Sequence, residues 1–384
     1  MSLRKLKIED TYDSLDLIII EALGKLGPRN IYGIAKYLGL PESTVRHRIN
    51  KLRKRGILYL STNIYHTNLG LKKAVVYADV NPHYTRYIHD FLELNDYWVY
   101  TKSLFSLRNC VFALYTIPVT QEDKFIVFLN ELVNLGIIER YDLKWSTCFH
   151  RVNTTTKWFD LDRCLWKFDW NALMEEMEKA DTALPVTLKD PAKWIIKADK
   201  VDVYILKELE KDATVPLTEI SKKLGMTVQN LHYHYKHHII PNFLIEGFEI
   251  AFLKFGVKDS LVPYMDIKFR NYSAMAKFAN AIRDKPFVEV LGKILGTNAL
   301  FLNAYLPTHE FFNFIGFLNR LIETGWIKSY KCWLSHISLP GKRQTIPYKN
   351  FAGNYWIYDH EKYINDIYRL KEKVDKVIKS HVNF

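Results

Sequence analysis

From Asp16 onward the apolar residues Ile19, Ile20, Leu23 and Leu26 recur at helical spacing until Gly27-Pro28 interrupts them, which predicts a first helix of about three turns. A second short amphipathic stretch turns Ile34, Ala35 and Leu38 inward, and Gly39 suits the left-handed conformation of a tight interhelical turn. In the following LPESTVRHRINKLRKRGIL, Val45, Ile49 and Leu52 fall on one stripe. At about 100° per residue, Ser43, His47, Asn50 and Lys54 must then face the opposite way, flanked by Thr44, Arg46 and Lys51. After Gly56, residues 57–68 have strand character and end at Leu69-Gly70, which predicts a β-hairpin wing. Helix, helix-turn-helix and wing together predict a winged helix-turn-helix.

Beyond Gly70 the pattern alternates between types. Residues 73–80 read as a strand, 84–94 as a helix, 98–104 and 110–117 as strands, 122–135 as a helix and 141–149 as a strand, a βαββαβ order with both helices on one face. Residues 261–269, 272–283, 287–295, 299–306, 309–324 and 329–337 give the same order again. Sliding the chain by 186 positions places Asp16, Ile19, Ile34, Leu38, Gly39, Leu69 and Gly70 on Asp202, Ile205, Ile220, Leu224, Gly225, Phe255 and Gly256 without a gap. Further on the shift becomes 189, pairing Phe128-Leu129-Asn130 and Gly136 with Phe317-Leu318-Asn319 and Gly325. The expected fold is therefore α+β, two tandem repeats, each a winged helix-turn-helix followed by a ferredoxin-like sheet domain. The expected boundaries are 1–70 and 71–151 for the first copy, 152–197 for a trailing helix and linker, 198–258 and 259–339 for the second copy, and 340–384 for a C-terminal extension. Trp166, Trp170, Leu173 and Met177 stand at helical intervals in the linker, and Ile364, Ile367, Leu370, Val374 and Val377 form a stripe near the end. Trp158-Phe159-Asp160 and Trp356-Ile357-Tyr358-Asp359 suggest that each repeat owns a trailing helix, which covers its sheet or, for the terminal stripe, pairs between chains.

Composition fits several small cores: 384 residues, 48% apolar and 14% aromatic. The longest apolar stretches are strand-sized and the N-terminus lacks a signal-peptide apolar region, so a cytoplasmic location without membrane insertion is expected. Cys110, Cys148, Cys164 and Cys332 are scattered, which argues against a disulfide framework and a cysteine zinc site. The net charge of +12 is concentrated: between Arg29 and Arg55, Arg29, Lys36, Arg46, Arg48, Lys51, Arg53, Lys54 and Arg55 stand against Glu42 alone. Cations contact phosphate and set affinity, while Asn and Arg hydrogen-bond base edges, so the run points to double-stranded DNA as partner.

The aspartate opening the first helix, the IAKYLGL turn, the STVRHRINKL helix with Arg48, and the Gly-Ile-Leu entry to a wing closing at Leu69-Gly70 resemble the Lrp/AsnC transcriptional regulators. Residue by residue the likeness runs from Asp16 to Gly70, and its pattern extends over both repeats. One departure is Pro41, where that family has a Ser or Thr N-cap; Thr227 supplies one in the second copy. The resemblance implies paired sheets, here either an intramolecular pseudo-dimer or a homodimer, and a small effector near the sheet interface. The Gly-Asp type signature of the family's effector loop is replaced by Ser106-Leu107-Arg108-Asn109 and Gly296-Thr297-Asn298, with no carboxylate, so the effector stays unassigned.

The two readers differ. Between Ala213 and Gly247 only Lys222, Lys223 and Lys236 oppose Glu219 and Glu246, and the equivalent helix TVQNLHYHYKHH places Leu231, Tyr235 and His238 inward. Its outward candidates for DNA contact are Gln229, Asn230, His232, Tyr233 and Lys236. His234 and His238 have the i, i+4 spacing of metal ligands, yet no Cys or acid stands nearby in sequence, so neither a metal nor a cofactor is expected. The expected function is a sequence-specific DNA-binding regulator and not an enzyme. Ser43, Thr44, Arg46, His47, Asn50 and Lys51 are the candidate groove contacts, and Arg48, Arg53, Lys54 and Arg55 the phosphate candidates, with Arg48 alternatively orienting the helix. One alternative is an enzyme resembling the siroheme decarboxylases, for which Arg108, His150 and Arg151 are few and ungrouped. Another is a protein-binding winged-helix scaffold of the transcription machinery.

Overall fold

The computed structural model describes residues 11–105, 109–152 and 155–382. Helices α1 (Ser14–Leu26), α2 (Ile31–Leu38) and α3 (Glu42–Lys54) lead into strand β1 (Leu58–Ile64). There follow β2 (Leu71–Val80), α4 (Ile88–Leu92), β3 (Trp98–Leu104), β4 (Cys110–Pro118), α5 (Glu122–Asn134) and β5 (Ile138–Arg151). A small hairpin, β6 (Phe159–Asp160) and β7 (Leu165–Trp166), precedes α6 (Trp170–Lys179). The order of elements then recurs: α7 (Lys200–Lys211), α8 (Leu217–Leu224), α9 (Val228–Tyr233) continued by a π-helical turn (His234–Ile239), and β8 (Ile245–Phe252). Next come β9 (Ser260–Phe269), α10 (Tyr272–Ile282), β10 (Val288–Ile294), β11 (Ala299–Ala304), β12 (Leu306–Pro307), α11 (Thr308–Glu323) and β13 (Ile327–Ser335). The tail holds β14 (Gly341–Arg343), β15 (Phe351–Ala352), β16 (Tyr355–Trp356) and α12 (His360–Val382). No helix among the described residues is long and apolar enough to cross a membrane.

The expected wing hairpin does not form. Residues 57–68 contain no turn dipeptide and pass through a 3-10 turn at His66–Asn68 directly into β2. A lone strand must still pair its backbone groups, and β1 does so antiparallel to β8, from Leu58 opposite Phe252 to Asn63 opposite Gly247. Thr62 faces Phe248, the residue 186 positions further on, so this register is centred on one pair of corresponding positions.

The larger strands follow the order β5-β2-β4-β3 in the first half, and in the second half β9 lies between β13 and β11 with β10 outermost. The halves join edge to edge where β5 pairs with β10, Leu291 opposite His150 and Gly292 opposite Phe149. At the far edges Phe105 bridges Leu334, its N–H donating to the Leu334 carbonyl at 2.6 Å, and Ser335 Oγ donates to the Ser103 carbonyl at 2.9 Å. Joined along both margins, the sheets enclose one core in which Val75, Tyr77, Phe112 and Phe149 meet Tyr264, Val290 and Phe301. The Phe112 and Phe301 rings stack with centroids 5.7 Å apart.

Each trailing helix covers the other half, not its own. Trp170, Leu173 and Met177 of α6 are buried with Phe278 of α10 and Phe314 and Phe317 of α11, and Trp170 Nε1 donates to Glu310 at 2.9 Å. Ile367 and Val374 of α12 are buried in the cluster that holds Phe91, Phe125 and Phe128, and the Tyr84 hydroxyl donates to Asp375 at 2.6 Å. The terminal stripe is thus occupied within the chain; only Val377 at its end is left 40% exposed. The corresponding sequence signals are Trp166-Lys167-Phe168-Asp169 and Trp356-Ile357-Tyr358-Asp359, since Asp169 caps α6 through the Ala172 N–H and Asp359 accepts from the Lys362 N–H of α12. Trp158-Phe159-Asp160 belongs to the hairpin before them.

The β5–β10 seam requires Gly292, because a Cβ there would lie 2.8 Å from the Phe149 ring. Gly292→Ala should lower the unfolding free energy by about 1–3 kcal/mol in urea titration. Gly316→Ala in α11, where a Cβ meets nothing within 4 Å, should instead raise it by about 0.5–1 kcal/mol.

Candidate nucleic-acid interface

α3 is held by the helices before it. Asp13 and Asp16 close a capping box at the start of α1, and Leu17, Ile20, Leu23, Ile34, Ala35, Val45, Ile49 and Leu52 form the buried contact between α1, α2 and α3. Gly39 takes the left-handed conformation, φ 65°, that turns α2 into α3. Pro41 precedes α3 without a side-chain cap, and the Thr44 and Val45 N–H groups bond to its carbonyl at 3.0 and 3.2 Å.

The outward face of α3 carries the expected polar set. Ser43, Arg46, His47, Asn50, Lys51 and Lys54 are exposed and Thr44 is half-buried. The exposure of these side chains leaves the face open among the described residues, and the main packing of α3 is on α1, α2 and β1. Lys51 and Lys54 form no ion pair among the described residues, while Arg46 pairs along the helix with Glu42, both well exposed.

Three of the four phosphate candidates are engaged elsewhere. Arg48 reaches back to α1, its Nη1 2.7 Å from Asp13 Oδ2 and 2.8 Å from Asp16 Oδ1, a clamp between α3 and the start of α1 that turns its guanidinium away from the outer face. Partial burial pushes the Asp13 carboxyl up, but the hydrogen bonds and charge of Arg48 together with the Asp16 and Leu15 N–H groups hold it below the usual carboxylate range. Arg53 crosses to the second half, bonding Asp212 at 2.6 Å and Thr214 at 2.9 Å, and Arg55 donates to the Thr11 carbonyl at 3.1 Å. Arg29 likewise donates to the carbonyls of Ala213 and Val215. The sequence count of cations therefore overstates what faces outward, because guanidinium groups bridge carboxylates and carbonyls at helix ends as readily as they meet phosphate. Beside Asn50, Arg53 and Lys54 an open cleft of about 940 Å³ runs past Tyr59 and Ser61 to Glu210, Asp212 and Arg343.

In the second module Thr227 caps α9 through the Asn230 N–H, and Gln229, Asn230, His232, Tyr233 and Lys236 are all exposed. Lys223 is drawn off by Glu208 and Glu219 at 3.0 and 2.9 Å. The helix does not continue as a regular α-helix: from His234 it widens into the π-helical turn, and Ile239, not His238, is the apolar side chain buried next after Leu231. His234 is buried, with Nδ1 2.9 Å from Asp202 Oδ1, and His238 Nδ1 lies 3.4 Å from Asp202 Oδ2. Two acids do therefore stand beside this histidine pair, against the expectation from local sequence; they come from the start of α7, more than thirty residues earlier, where only the fold brings them near. Burial raises the Asp202 carboxyl above its ordinary range.

Of the effector-loop candidates, Ser106, Leu107 and Arg108 lie outside the described residues. At Gly296-Thr297-Asn298 the linker supplies the carboxylate that the loop itself lacks, since the Gly296 N–H donates to Asp190 at 3.3 Å and Lys293 stands 3.3 Å from the same residue. His150 bonds Thr187 at 2.9 Å and lies 3.1 Å from Glu246; Arg151 contributes backbone pairing to β10. Between the sheets lies a cavity of about 200 Å³ lined by Phe112, Phe149, Tyr264 and Phe301 and by Lys73, Glu210, Glu249, Glu289 and Arg343. Burial raises the Glu210 carboxyl, and Glu249, 2.9 Å from Arg343, raises that guanidinium.

Comparison with known proteins places helix-turn-helix units at both modules. Residues 13–59 match the bacterial regulatory protein arsR family, and residues 199–237 match a winged helix-turn-helix DNA-binding family. An uncharacterized HTH-type transcriptional regulator from Pyrococcus furiosus is 39% identical over 87 residues, 22% of this chain and 59% of that protein, so the chain spans about three-fifths of the curated relative's length. The crystal structure of the siroheme decarboxylase NirDL superposes on 94% of this chain and 100% of its own with a TM-score of 0.53 at 13% identity, a likeness of fold. Escherichia coli AsnC aligns with 35% of this chain and 91% of its own at 18% identity, with a TM-score of 0.29.

Removing the Arg48 guanidinium leaves Asp16 buried without its partner. Arg48→Ala should cost about 2 kcal/mol of stability near neutral pH by urea titration, and Lys51→Ala less than about 0.5 kcal/mol. Because Asp13 is held low in the folded state, its share of the clamp is present above the ordinary carboxylate range and fades as pH falls through it, so the gap between wild type and Arg48→Ala should narrow in acid.

Proposed function

We propose that the chain is a cytoplasmic, sequence-specific regulator of transcription that binds double-stranded DNA in the Lrp/AsnC manner, with the first winged helix as the main reader. The observation that carries this reading is the uncovered outer face of α3, on which Ser43, Arg46, His47, Asn50, Lys51 and Lys54 stand over a stripe fixed by Val45, Ile49 and Leu52. Helices of this kind enter the major groove with their exposed face toward the base edges. The 186-residue correspondence and the β1–β8 register centred on Thr62 and Phe248 support a tandem duplication that yields a pseudo-dimer within one polypeptide. The second module, with Lys223 neutralised and no arginine on its outer face, is the weaker reader, which favours a non-palindromic site.

A tetrapyrrole enzyme is the competing reading, favoured by the fold likeness to NirDL over nearly the whole chain. Against it, a polycarboxylate entering the inner cavity would meet Glu210, Glu249 and Glu289 beside Lys73, His66 and Arg343, and Arg343 is already paired with Glu249 at 2.9 Å. Siroheme added to the purified chain should give no saturable change in its Soret band; a stoichiometric shift would replace the regulator reading.

In duplex-binding measurements Arg46→Ala with Lys51→Ala should weaken affinity by at least about tenfold, and His232→Ala with His237→Ala by less. Equal losses would refute the asymmetry. With Lys36, Arg46, Lys51 and Lys54 neutralising roughly four phosphates, log affinity should fall with log salt with a slope of about −3.6. A flat response would remove the electrostatic basis of the reading.

A further inference from the structure

In the second module Asp199, Asp202, His234 and His238 converge, and the geometry points to a tetrahedral binding site for a first-row divalent metal ion of the zinc class, fastening the π-helical turn to the start of α7. His234 Nδ1 lies 2.9 Å from Asp202 Oδ1 and 3.6 Å from Asp199 Oδ2; His238 Nδ1 lies 3.4 Å from Asp202 Oδ2 and 3.6 Å from Asp199 Oδ2. Ligand atoms about 2.1 Å from a tetrahedral ion stand about 3.4 Å from one another. The four His–Asp distances bracket that value, one ligand atom from each of the four side chains lies within 4.8 Å of the others, and imidazole nitrogen with carboxylate oxygen is a donor set zinc accepts.

The carboxylates are aimed by their own backbone contacts. Asp199 Oδ1 accepts the Val201 and Asp202 N–H groups at 2.8 and 2.9 Å, and Asp202 Oδ2 accepts the Asp199 N–H at 3.0 Å. These bonds leave Asp199 Oδ2 and Asp202 Oδ1 directed at the imidazoles, the kind of outer support that orients metal ligands. The π-helical widening brings both histidines to this side, with ring centroids 4.7 Å apart, while Ile239 fills the buried place behind them.

The first module shows what the site replaces. There the corresponding positions are Asp13, Asp16, Arg48 and Leu52, and the fixed positive charge of Arg48 binds both aspartates. Exchanging Arg48 for His234 removes a permanent cation from beside two carboxylates, one of them buried, and imidazole carries no fixed charge to restore it. A divalent ion does, and it makes the seating of the second recognition helix depend on metal. This assignment does not rest on DNA binding and is tested without it.

The tag-free full-length chain is titrated with Co2+, a spectroscopic stand-in for zinc. One equivalent should bind with the intense visible absorption of a tetrahedral centre, be displaced by Zn2+, and Zn2+ should raise the Tm. His234→Arg with His238→Leu, which transplants the first module's residues, should keep its circular dichroism and cooperative unfolding but lose both responses. Asp199→Asn, at the more exposed carboxylate, should weaken Co2+ affinity by at least about tenfold and decides the matter if the double variant does not fold. Absence of a saturable tetrahedral spectrum in the wild-type chain, its survival in a folded double variant, or unchanged affinity in Asp199→Asn overturns the site.

Discussion

Each half of this chain leaves backbone hydrogen-bonding groups that only the other half satisfies. β1 has no partner in its own module and takes β8; the outer margin of one sheet, β5, takes β10. Unpaired strand edges in contact with a closed core are costly, so the halves are bound by the same donors and acceptors that make each of them a sheet. The helix-turn-helix modules hang from this frame, and the position of α3 follows from it: α3 packs on β1, and Arg53 ties its end to Asp212 of the other half.

Much of the local structure is legible in the sequence because it is encoded locally. The stripe of Val45, Ile49 and Leu52 fixes which face of α3 is buried, and Gly39 with its positive φ marks the turn before it. Strands such as β3 and β4 follow from their β-branched and aromatic content. What sequence reading misses depends on long-range pairing. Residues 57–68 look like a wing hairpin since strand character says nothing about the partner, although the lack of any turn dipeptide is a visible warning. The trailing helices are visible as amphipathic stripes, but a stripe does not say which of two similar apolar sheets it will cover. A basic run also gives no account of where its charges point: Arg29, Arg48, Arg53 and Arg55 are spent on carboxylates and carbonyls brought close by folding.

The two modules use one scaffold for different ends. In both, a capping-box aspartate pair faces the recognition helix, and in the first it is answered by a guanidinium, in the second by imidazoles. The outer faces diverge in parallel, cationic in the first and aromatic and histidine-bearing in the second. Two unlike outer faces are open to one chain that carries two modules and closed to a dimer of identical chains, in which every substitution appears twice.

The crosswise placement of α6 and α12 also constrains how the molecule comes into being. The Tyr84–Asp375 hydrogen bond joins residues 291 positions apart, and the apolar face of α5 that α12 covers is made long before its cover. On the ribosome, the first sheet unit therefore keeps its greasy side open until α12, more than two hundred residues further on, has emerged, which makes the docking of that helix a late step in the life of the newborn chain.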